Sequence, residues 1–187
     1  MEQQKQWTIY KGRPLDEQGR SLAELRVYDL LDELGIDYER VDHEAAMTMA
    51  ACRDIDRLLH VHACKNLFLR NTQKTRFYLL LIAGDKKFKT KDLSAQLGIA
   101  RLSFAEEEYM EKYLGVHPGS VTVMGLMNDT GHQVQLLIDR DVYTEDMTAC
   151  HPCANTSSIR LKSADLLGKF IPYTGHEPCL LYTSRCV

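Results

Sequence analysis

The residues that could do chemistry in this chain fall into three short segments, and the first is a loop rich in glycine and proline. It reads Gly115-Val116-His117-Pro118-Gly119 and runs into an apolar stretch. Because glycine has no Cβ and proline fixes the chain, such a loop can present backbone N–H groups to a ligand. The loop can therefore receive a carbonyl or a phosphate oxygen, but by itself it does not indicate which.

The other two segments supply polar side chains. Lys65-Asn66 interrupts an otherwise apolar stretch, and His151-Pro152 is followed closely by Asn155-Thr156. A lysine within an apolar strand either reaches past the sheet edge to solvent or lines a polar cavity. The glycine loop and the histidine turn together favour the polar cavity.

A metal site and a cysteine nucleophile are the alternatives. Cys150 and Cys153 have the spacing of metal ligands, and His60 and His62 could complete a set of four with them, with Cys64 and His151 as further candidate ligands. The sequence has no second C-x-x-C motif, so this pattern is incomplete. Cys52, Cys64 and Cys153 are candidate nucleophiles, although no neighbouring residue indicates an activated thiol. Glycine motifs of the nucleotide-binding kinds are absent.

Composition indicates an ordinary globular protein. The chain has 187 residues, 44% of them hydrophobic and 26% charged, which suits one domain with a single main core. It has neither an apolar run of about 18 residues, as a membrane span requires, nor an apolar signal sequence at its start. We therefore expect a cytoplasmic protein whose six cysteines are free thiols.

Charge is distributed unevenly. The net charge is −3, yet residues 65–91 contain eight lysines and arginines and one acid, Asp85. A basic face on an acidic protein suits a small anionic ligand, such as one end of a nucleic acid. A solvated lysine-rich surface is the alternative.

The elements that must position these residues can be predicted from periodicity and capping. Ser21 and Glu24 form a capping box, so residues 21–34 are predicted as an amphipathic helix. Alternation predicts that residues 121–127 and 134–139 form a β-hairpin. The other predicted helices are 48–59, 91–97, 106–114 and 163–170, and the other predicted strands are 36–41, 63–69, 76–83 and 157–162. The sum is an α+β fold with a mixed sheet.

Four stretches carry a resemblance to a known family. They are 65–69, 86–93, 114–122 and 151–156, and in this order they resemble the YbaK/ProX family of free-standing aminoacyl-tRNA deacylases. These proteins are relatives of the editing domain of bacterial prolyl-tRNA synthetase, and the chain is most similar to the Ala-tRNA(Pro) deacylases among them. The resemblance covers about residues 21–178, after a lead-in over 1–20. It implies a single α+β domain with a mixed, largely antiparallel, barrel-like sheet surrounded by helices.

The resemblance also implies an activity and a site. The activity is hydrolysis of the ester that links a wrong amino acid to tRNA(Pro), without a metal or cofactor and with help from the terminal ribose hydroxyl. Lys65 would anchor the substrate end, Gly115 would belong to the loop that holds the substrate carbonyl, and His151 would position the amino acid or water. The predicted substrate-binding residues are Asn66, Pro118, Gly119, Met124, Asn155 and Thr156, with Met47 and Met49 as further pocket candidates.

The implied partner is the acceptor end of mischarged tRNA(Pro), with prolyl-tRNA synthetase or an elongation factor as further candidates. Lys86, Lys87, Lys89 and Lys91 would contact acceptor-stem phosphates, which predicts salt-sensitive binding. Alanine is the first choice for the rejected amino acid, and serine or cysteine is the alternative. A regulator that binds aminoacyl-tRNA or an amino acid without turnover is the alternative function.

The last nine residues, 179–187, depart from the family pattern. They resemble translated sequencing-adapter sequence, so we expect Cys179 and Cys186 to carry no functional role.

Overall fold

The computed structural model describes residues 7–45, 49–62 and 64–182. Met47, Thr48, Ala63 and Cys186, to which sequence predictions were attached, lie outside these ranges, and the side chain of Met49 is not described either. Nine strands are described: β1 (Ile9–Lys11), β2 (Tyr38–Asp42), β3 (Cys64–Asn71), β4 (Phe77–Ala83), β5 (Leu102–Phe104), β6 (Val134–Asp139), β7 (Met147–Cys150), β8 (Ser157–Lys162) and β9 (Cys179–Leu181).

The helices lie between and after these strands. They are α1 (Leu22–Glu33), α2 (Met49–Leu58), α3 (Thr90–Leu97), α4 (Glu107–Tyr109), α5 (Arg140–Tyr143), α6 (Ser163–Asp165) and α7 (Ile171–Tyr173). Helix α4 continues as a π-helical turn over Met110–Leu114, and Leu166–Phe170 is a second such turn between α6 and α7. No helix in the described part of the chain has the length and apolar character needed to cross a membrane.

Two sheets form the framework. The first is antiparallel, with strand order β1-β2-β8-β7, and the second has the order β5-β3-β4-β6-β9. In the second sheet β3 is antiparallel to β4 and β5, whereas β4, β6 and β9 run parallel. The α+β, mixed and largely antiparallel prediction is confirmed. The barrel-like element of that prediction is wrong, because the described strands make two sheets and not a closed barrel.

Local signals account for the elements that were predicted well. The Ser21 hydroxyl accepts a hydrogen bond from the N–H of Glu24 at 3.1 Å, which caps α1. The helix buries Val27 and Tyr28 against the main core together with Leu31, which follows them by four and three residues.

The two faces of the β3–β4 hairpin belong to different parts of the core. Phe68 and its neighbour Leu79 face the large core that contains α1. Leu69 and Leu80 face the smaller core beneath α3. Because side chains alternate along a strand, Lys65 starts from the α3 face and Asn66 from the main-core face.

The predicted hairpin of residues 121–127 with 134–139 is wrong. Val123–Asn128 is a 3₁₀ helix, and β6 pairs in parallel with β4 instead. The Thr122 hydroxyl accepts the N–H of Met124 at 3.2 Å, which caps the helix, and the Asn128 amide donates to the carbonyl of Leu114 at 2.8 Å. These side chain–backbone bonds outweigh the β propensity of the valines.

Candidate active site

The glycine loop is a tight turn placed directly after the π-helical turn. Gly115 ends the π-helical turn, and its backbone lies in the left-handed region at φ 63°. The N–H of Ser120 donates to the carbonyl of His117 at 3.0 Å, and Gly119 has φ 88°. With proline at its second position and glycine at its third, the turn over 117–120 has the features of a type II turn.

The backbone donors of this loop are not all available to a ligand. The N–H of Gly115 donates to Glu111 at 3.1 Å, that of Val116 to Met110 at 3.3 Å, and that of His117 to the Ser120 hydroxyl at 3.1 Å. In the described ranges no group accepts the N–H of Gly119, which lies on an exposed residue. The N–H of Gly115 is therefore committed within the protein, and Gly119 carries the loop donor that no described group accepts.

Both glycines lie where a side chain would meet an asparagine. A Cβ on Gly115 would be 2.8 Å from Nδ2 of Asn128, which is closer than real Cβ atoms approach. A Cβ on Gly119 would be 3.4 Å from Nδ2 of Asn155. The structure thus brings together the glycine loop and the turn that follows β7, as the cavity hypothesis required.

His151, at the start of that turn, is held in one tautomer. Its Nδ1 lies 2.8 Å from the carbonyl oxygen of Ser157, which can only accept, so Nδ1 carries the proton. Burial lowers the pKa of His151 below its ordinary value of 6.5, against the hydrogen bond to Ser157, which raises it, and with a smaller lowering effect from His43. The ring is therefore neutral near pH 7, and Nε2 has the lone pair.

His43 is a second histidine that sequence reasoning missed. Its ring centroid lies 6.1 Å from that of His151, and its Nε2 lies 3.0 Å from the Ser158 hydroxyl. Burial lowers its pKa as well. The backbone pairing of His43 N–H with the carbonyl of Thr156 at 2.9 Å brings it here. No local motif surrounds His43, so its position beside His151 could have been inferred only from the pairing of β2 with β8.

Asn66 presents a buried polar atom toward the main-core side of β3. Its Oδ1 is inaccessible to solvent and accepts no hydrogen bond from any described group. Buried acceptors are almost always paired in proteins. This unpaired oxygen next to Lys65 is therefore an unfavourable arrangement in the free protein, and a ligand can donate to it only when the groups that cover it move.

The ammonium of Lys65 lies on the other side of the strand. It donates to the carbonyl of Lys86 at 3.0 Å and forms no ion pair with any described residue. The side chain is partly exposed. Lys65 thus contacts the loop before α3, whereas the glycine loop and the turn after β7 pack through Val116 and Cys153 into the main core, which Asn66 faces.

Lys86 does not fit the predicted contact with tRNA phosphates. It is 3% exposed, and its ammonium lies 2.7 Å from a carboxylate oxygen of Asp139 and 3.1 Å from one of Asp141. Although burial opposes the charged form, these two carboxylates prevail and raise the pKa of Lys86. Lys87, Lys89 and Lys91 are exposed, as the prediction for them requires.

The cysteines occupy positions that suit packing. Burial raises the pKa of Cys64 to about 12 and that of Cys153 to about 12, and it also raises the pKa of Cys150. Cys150 lies near Thr122 and Cys64, so β7 approaches both β3 and the segment that follows the glycine loop. Thiols with raised pKa are poor nucleophiles at neutral pH. The six suggested ligands do not form a cluster, since the group with metal-ligand spacing in the described ranges is Glu107, Glu111 and His117.

The remaining predicted site residues differ in exposure. Met124 is fully buried in the main core, on the 3₁₀ helix. Pro118 and Thr156 are exposed, and Asn155 is half-buried beside Gly119. Met124 can therefore shape a pocket only as part of its wall.

Comparison with known proteins gives the family. The model of the aminoacyl-tRNA editing domain family matches residues 43–169, which include Lys65, the glycine loop and His151. The chain belongs to this editing-domain family. The predicted resemblance is thereby confirmed, and so is the prediction of an editing deacylase at this general level.

Relatives of this editing domain carry proline-specific names. The prolyl-tRNA editing protein ProX of Acetoanaerobium sticklandii is 33% identical over 144 residues, covering 77% of this chain and 88% of ProX. The prolyl-tRNA synthetase associated domain-containing protein 1 of Danio rerio is 31% identical over 155 residues, covering 82% and 83%. A solved structure described as a candidate trans-editing enzyme for prolyl-tRNA synthetase superposes with a TM-score of 0.63 at 16% identity. It covers 88% of this chain and 99% of that one, and it shows that the fold is shared.

Proposed function

We propose that this protein hydrolyses the ester bond of tRNA(Pro) mischarged with alanine. The observation that carries the proposal is the turn over 117–120, in which the N–H of Gly119 has no acceptor among the described residues and lies beside Asn155. The names of the relatives support tRNA(Pro) as the substrate.

An aminoacyl ester is already reactive, so the protein needs to orient it and to stabilise the oxyanion that forms. One oxyanion donor is typically worth about 3 kcal/mol. The N–H of Gly119 supplies such a donor on a rigid turn, and glycine allows the substrate to approach it. Gly115 contributes by leaving the helix in a left-handed conformation that a side chain would obstruct.

Asn66 and Lys65 hold the two ends of the substrate in this proposal. When substrate binding displaces the groups that cover it, the buried, unpaired Oδ1 of Asn66 accepts a hydrogen bond from the α-ammonium of the amino acid. The ammonium of Lys65, which lacks a carboxylate partner among the described residues, meets the terminal phosphate at the end of β3. These contacts orient the ester without a covalent intermediate.

His151 orients the attacking water. Its neutral ring has a lone pair on Nε2, since Nδ1–H is committed to the carbonyl of Ser157. The terminal ribose hydroxyl of the substrate lies next to the ester by its own covalent structure and completes the activation. A histidine held neutral by burial can accept a proton at physiological pH.

Selection of alanine over proline rests on size. A pocket separates substrates that differ by a methylene by only about 1–3 kcal/mol when it merely binds them. Steric exclusion of the larger proline by a rigid wall is more effective, and Met124 is buried in the core behind the loop.

A panel of aminoacylated tRNAs tests the proposal. Purified protein is incubated with tRNA(Pro) carrying alanine, serine, cysteine or proline, with and without a chelator, and amino acid release is measured. We expect release of alanine, retention of proline and no effect of the chelator. Binding of Ala-tRNA(Pro) without release would instead favour a regulator, and loss of release with the chelator would favour a metal hydrolase.

A further inference from the structure

An aromatic pair with one exposed ring lies at the edge of the second sheet, outside the site described above. Phe104, on edge strand β5, is 56% exposed. Its ring centroid lies 6.1 Å from that of Phe88, and the two rings are tilted by 68°. Phe88 is half-buried against the core beneath α3, so it holds the pair in place.

The pair lies on the same face of the sheet as Lys65. Phe104 pairs with Leu69, which faces the α3 side together with Lys65. Leu69 lies four positions after Lys65 along β3, or roughly 13 Å at the rise of a strand. The loop that contains Phe88 is itself bound to Lys65, through the carbonyl of Lys86. A ligand anchored at Lys65 can therefore reach the pair with one or two nucleotides.

The cations near the pair fall into two groups, those that Glu106 neutralises and the exposed lysines of segment 87–91. Arg70 and Lys74 both form ion pairs with Glu106, at 2.6 and 3.1 Å. Segment 87–91 contains three exposed lysines and no acid, and these lysines form no ion pair with any described residue. In the sequence, Phe88 thus lies between Lys87 and Lys89, neither of which has an ion-pair partner among the described residues.

Exposed aromatic rings interleaved with lysines suit single-stranded nucleic acid. Each unpaired base can stack on an aromatic ring, while the phosphates contact the cations. A paired stem offers phosphates but no free base face, so lysines alone would serve it.

We propose that Phe104 and Phe88 form a stacking platform for an unpaired base at the 3′ end of the tRNA, with Lys87 and Lys89 binding the adjoining phosphates. The proposal rests on the proposed function, since it assumes that the ligand is a tRNA. It assigns to this edge the recognition of the single-stranded end, in addition to the stem.

Binding of two RNAs tests the platform. The probes are a tRNA(Pro) transcript and the same transcript without its unpaired 3′ nucleotides, titrated by fluorescence anisotropy at fixed salt. We expect Phe104→Ala to weaken binding of the intact RNA about tenfold, from the usual contribution of one stacked base. The shortened RNA should bind the wild type and the variant equally. Phe104→Trp, which keeps a stacking face, should retain the wild-type affinity.

Controls separate stacking from folding and self-association. Tyr173, 55% exposed on α7, is a matched exposed aromatic, and Tyr173→Ala should change neither affinity. Unchanged binding of intact RNA by Phe104→Ala, or an equal loss on both RNAs, would overturn the proposal. A change in sedimentation without a change in RNA binding would also overturn it, because the pair would then serve contact between copies of the chain.

Measuring RNA binding and amino acid release on the same protein preparations distinguishes failure of the stacking platform from failure of the proposed function. If the wild type releases alanine while Phe104→Ala binds intact RNA normally, only the platform fails. If binding depends on Phe104 and the 3′ end but no amino acid is released from any charged tRNA, the hydrolytic function fails and the platform stands.

Discussion

Gly119 and the side-chain amide of Asn155 are in near contact, since a methyl group on Gly119 would lie 3.4 Å from Nδ2 of Asn155. The two residues belong to separate loops, and the N–H of Gly119 has no acceptor in the part of the chain that the structure describes. Substitution here therefore tests the loop geometry directly.

We expect Gly119→Ala to lower deacylation at least tenfold. Its φ of 88° is unfavourable for any residue with a Cβ, and the added methyl presses on Asn155. The backbone term also lowers the free energy of unfolding, by about 1 kcal/mol. Single-turnover hydrolysis of Ala-tRNA(Pro) and urea unfolding measure the two effects.

Gly98→Ala is the matched control for this change. Gly98 has φ 64° and ends α3, and a Cβ there would meet nothing within 4 Å. We expect a similar loss of stability with wild-type activity. Equal losses of activity in both variants would mean that Gly119 acts only through folding.

His151 should impose an acid limit on activity. Burial lowers its pKa below 6.5, so the neutral form is fully present above that value and is lost as pH falls through the lowered pKa. Deacylation should be constant above about pH 6.5 and should decline below it. Single-turnover rates measured as a function of pH test this decline.

His151→Gln should be slow at every pH and should lack the decline. His117→Gln is the control, because His117 lies in the glycine loop but is exposed and bound to Glu111 at 2.9 Å. It should keep the wild-type profile. An unchanged decline in His151→Gln would assign the titration to another group, such as His43.

The same pKa shift affects stability with a defined sign. The unfolded chain binds the proton of His151 more readily than the folded one, so the stabilising contribution is present above about pH 6.5. It is lost as pH falls from there toward the folded pKa. The difference in unfolding free energy between wild type and His151→Gln should therefore shrink on acidification.

Features with local causes could be predicted from the sequence. The Ser21 capping box defined α1, and the Gly115–Gly119 spacing indicated the tight turn. Features set by non-local contacts could not. His43 reaches the site only because β2 pairs with β8, and Thr122 and Asn128 turn an apparent strand into a 3₁₀ helix.

Lys86 and Lys87 illustrate the same limit of sequence-based prediction. Substitutions at these two positions should have very different effects on stability. Lys86 binds Asp139, whose side chain is 0% exposed, whereas Lys87 is exposed. Lys86→Met leaves a buried carboxylate without its main partner and should lower the unfolding free energy by about 3 kcal/mol. Lys87→Met should change it by less than about 0.5 kcal/mol. Urea unfolding of the two variants provides the comparison.

Lys87→Met, which should have the smaller effect on stability, should have the larger effect on tRNA binding when both variants are folded. Lys87→Met removes a phosphate contact, so the slope of log affinity against log salt should fall by about one. Lys86→Met should leave the slope unchanged at a temperature where it is folded. A reduced slope in Lys86→Met would contradict the assignment of its charge to Asp139 and Asp141.

Lys65→Ala should abolish release of alanine without unfolding the protein. The side chain is partly exposed and its described hydrogen bond goes to one carbonyl, so the stability change should stay within about 1 kcal/mol. Lys162→Ala, on the exposed side of β8, is the control and should keep full activity. Wild-type hydrolysis by Lys65→Ala would remove this lysine from the proposed mechanism.

Replacement of Asn66 by leucine should have opposite effects on stability and on activity. Its Oδ1 is buried without a donor in the described ranges, which is an unfavourable arrangement for the free protein. Asn66→Leu has similar volume and removes that atom, so the unfolding free energy should stay constant or rise by about 1 kcal/mol. Activity should fall about a hundredfold, because the α-ammonium of the substrate loses its acceptor.

The reference variant for this last prediction is Asn66→Asp. A carboxylate keeps an acceptor for the ammonium, so Asn66→Asp should retain more activity than Asn66→Leu while being less stable, since the buried charge is costly without a partner. The ranking of the two variants therefore inverts between urea unfolding and single-turnover hydrolysis. If Asn66→Leu were instead the less stable and the more active variant, the amide would have a structural role and the unpaired oxygen would not be a substrate contact.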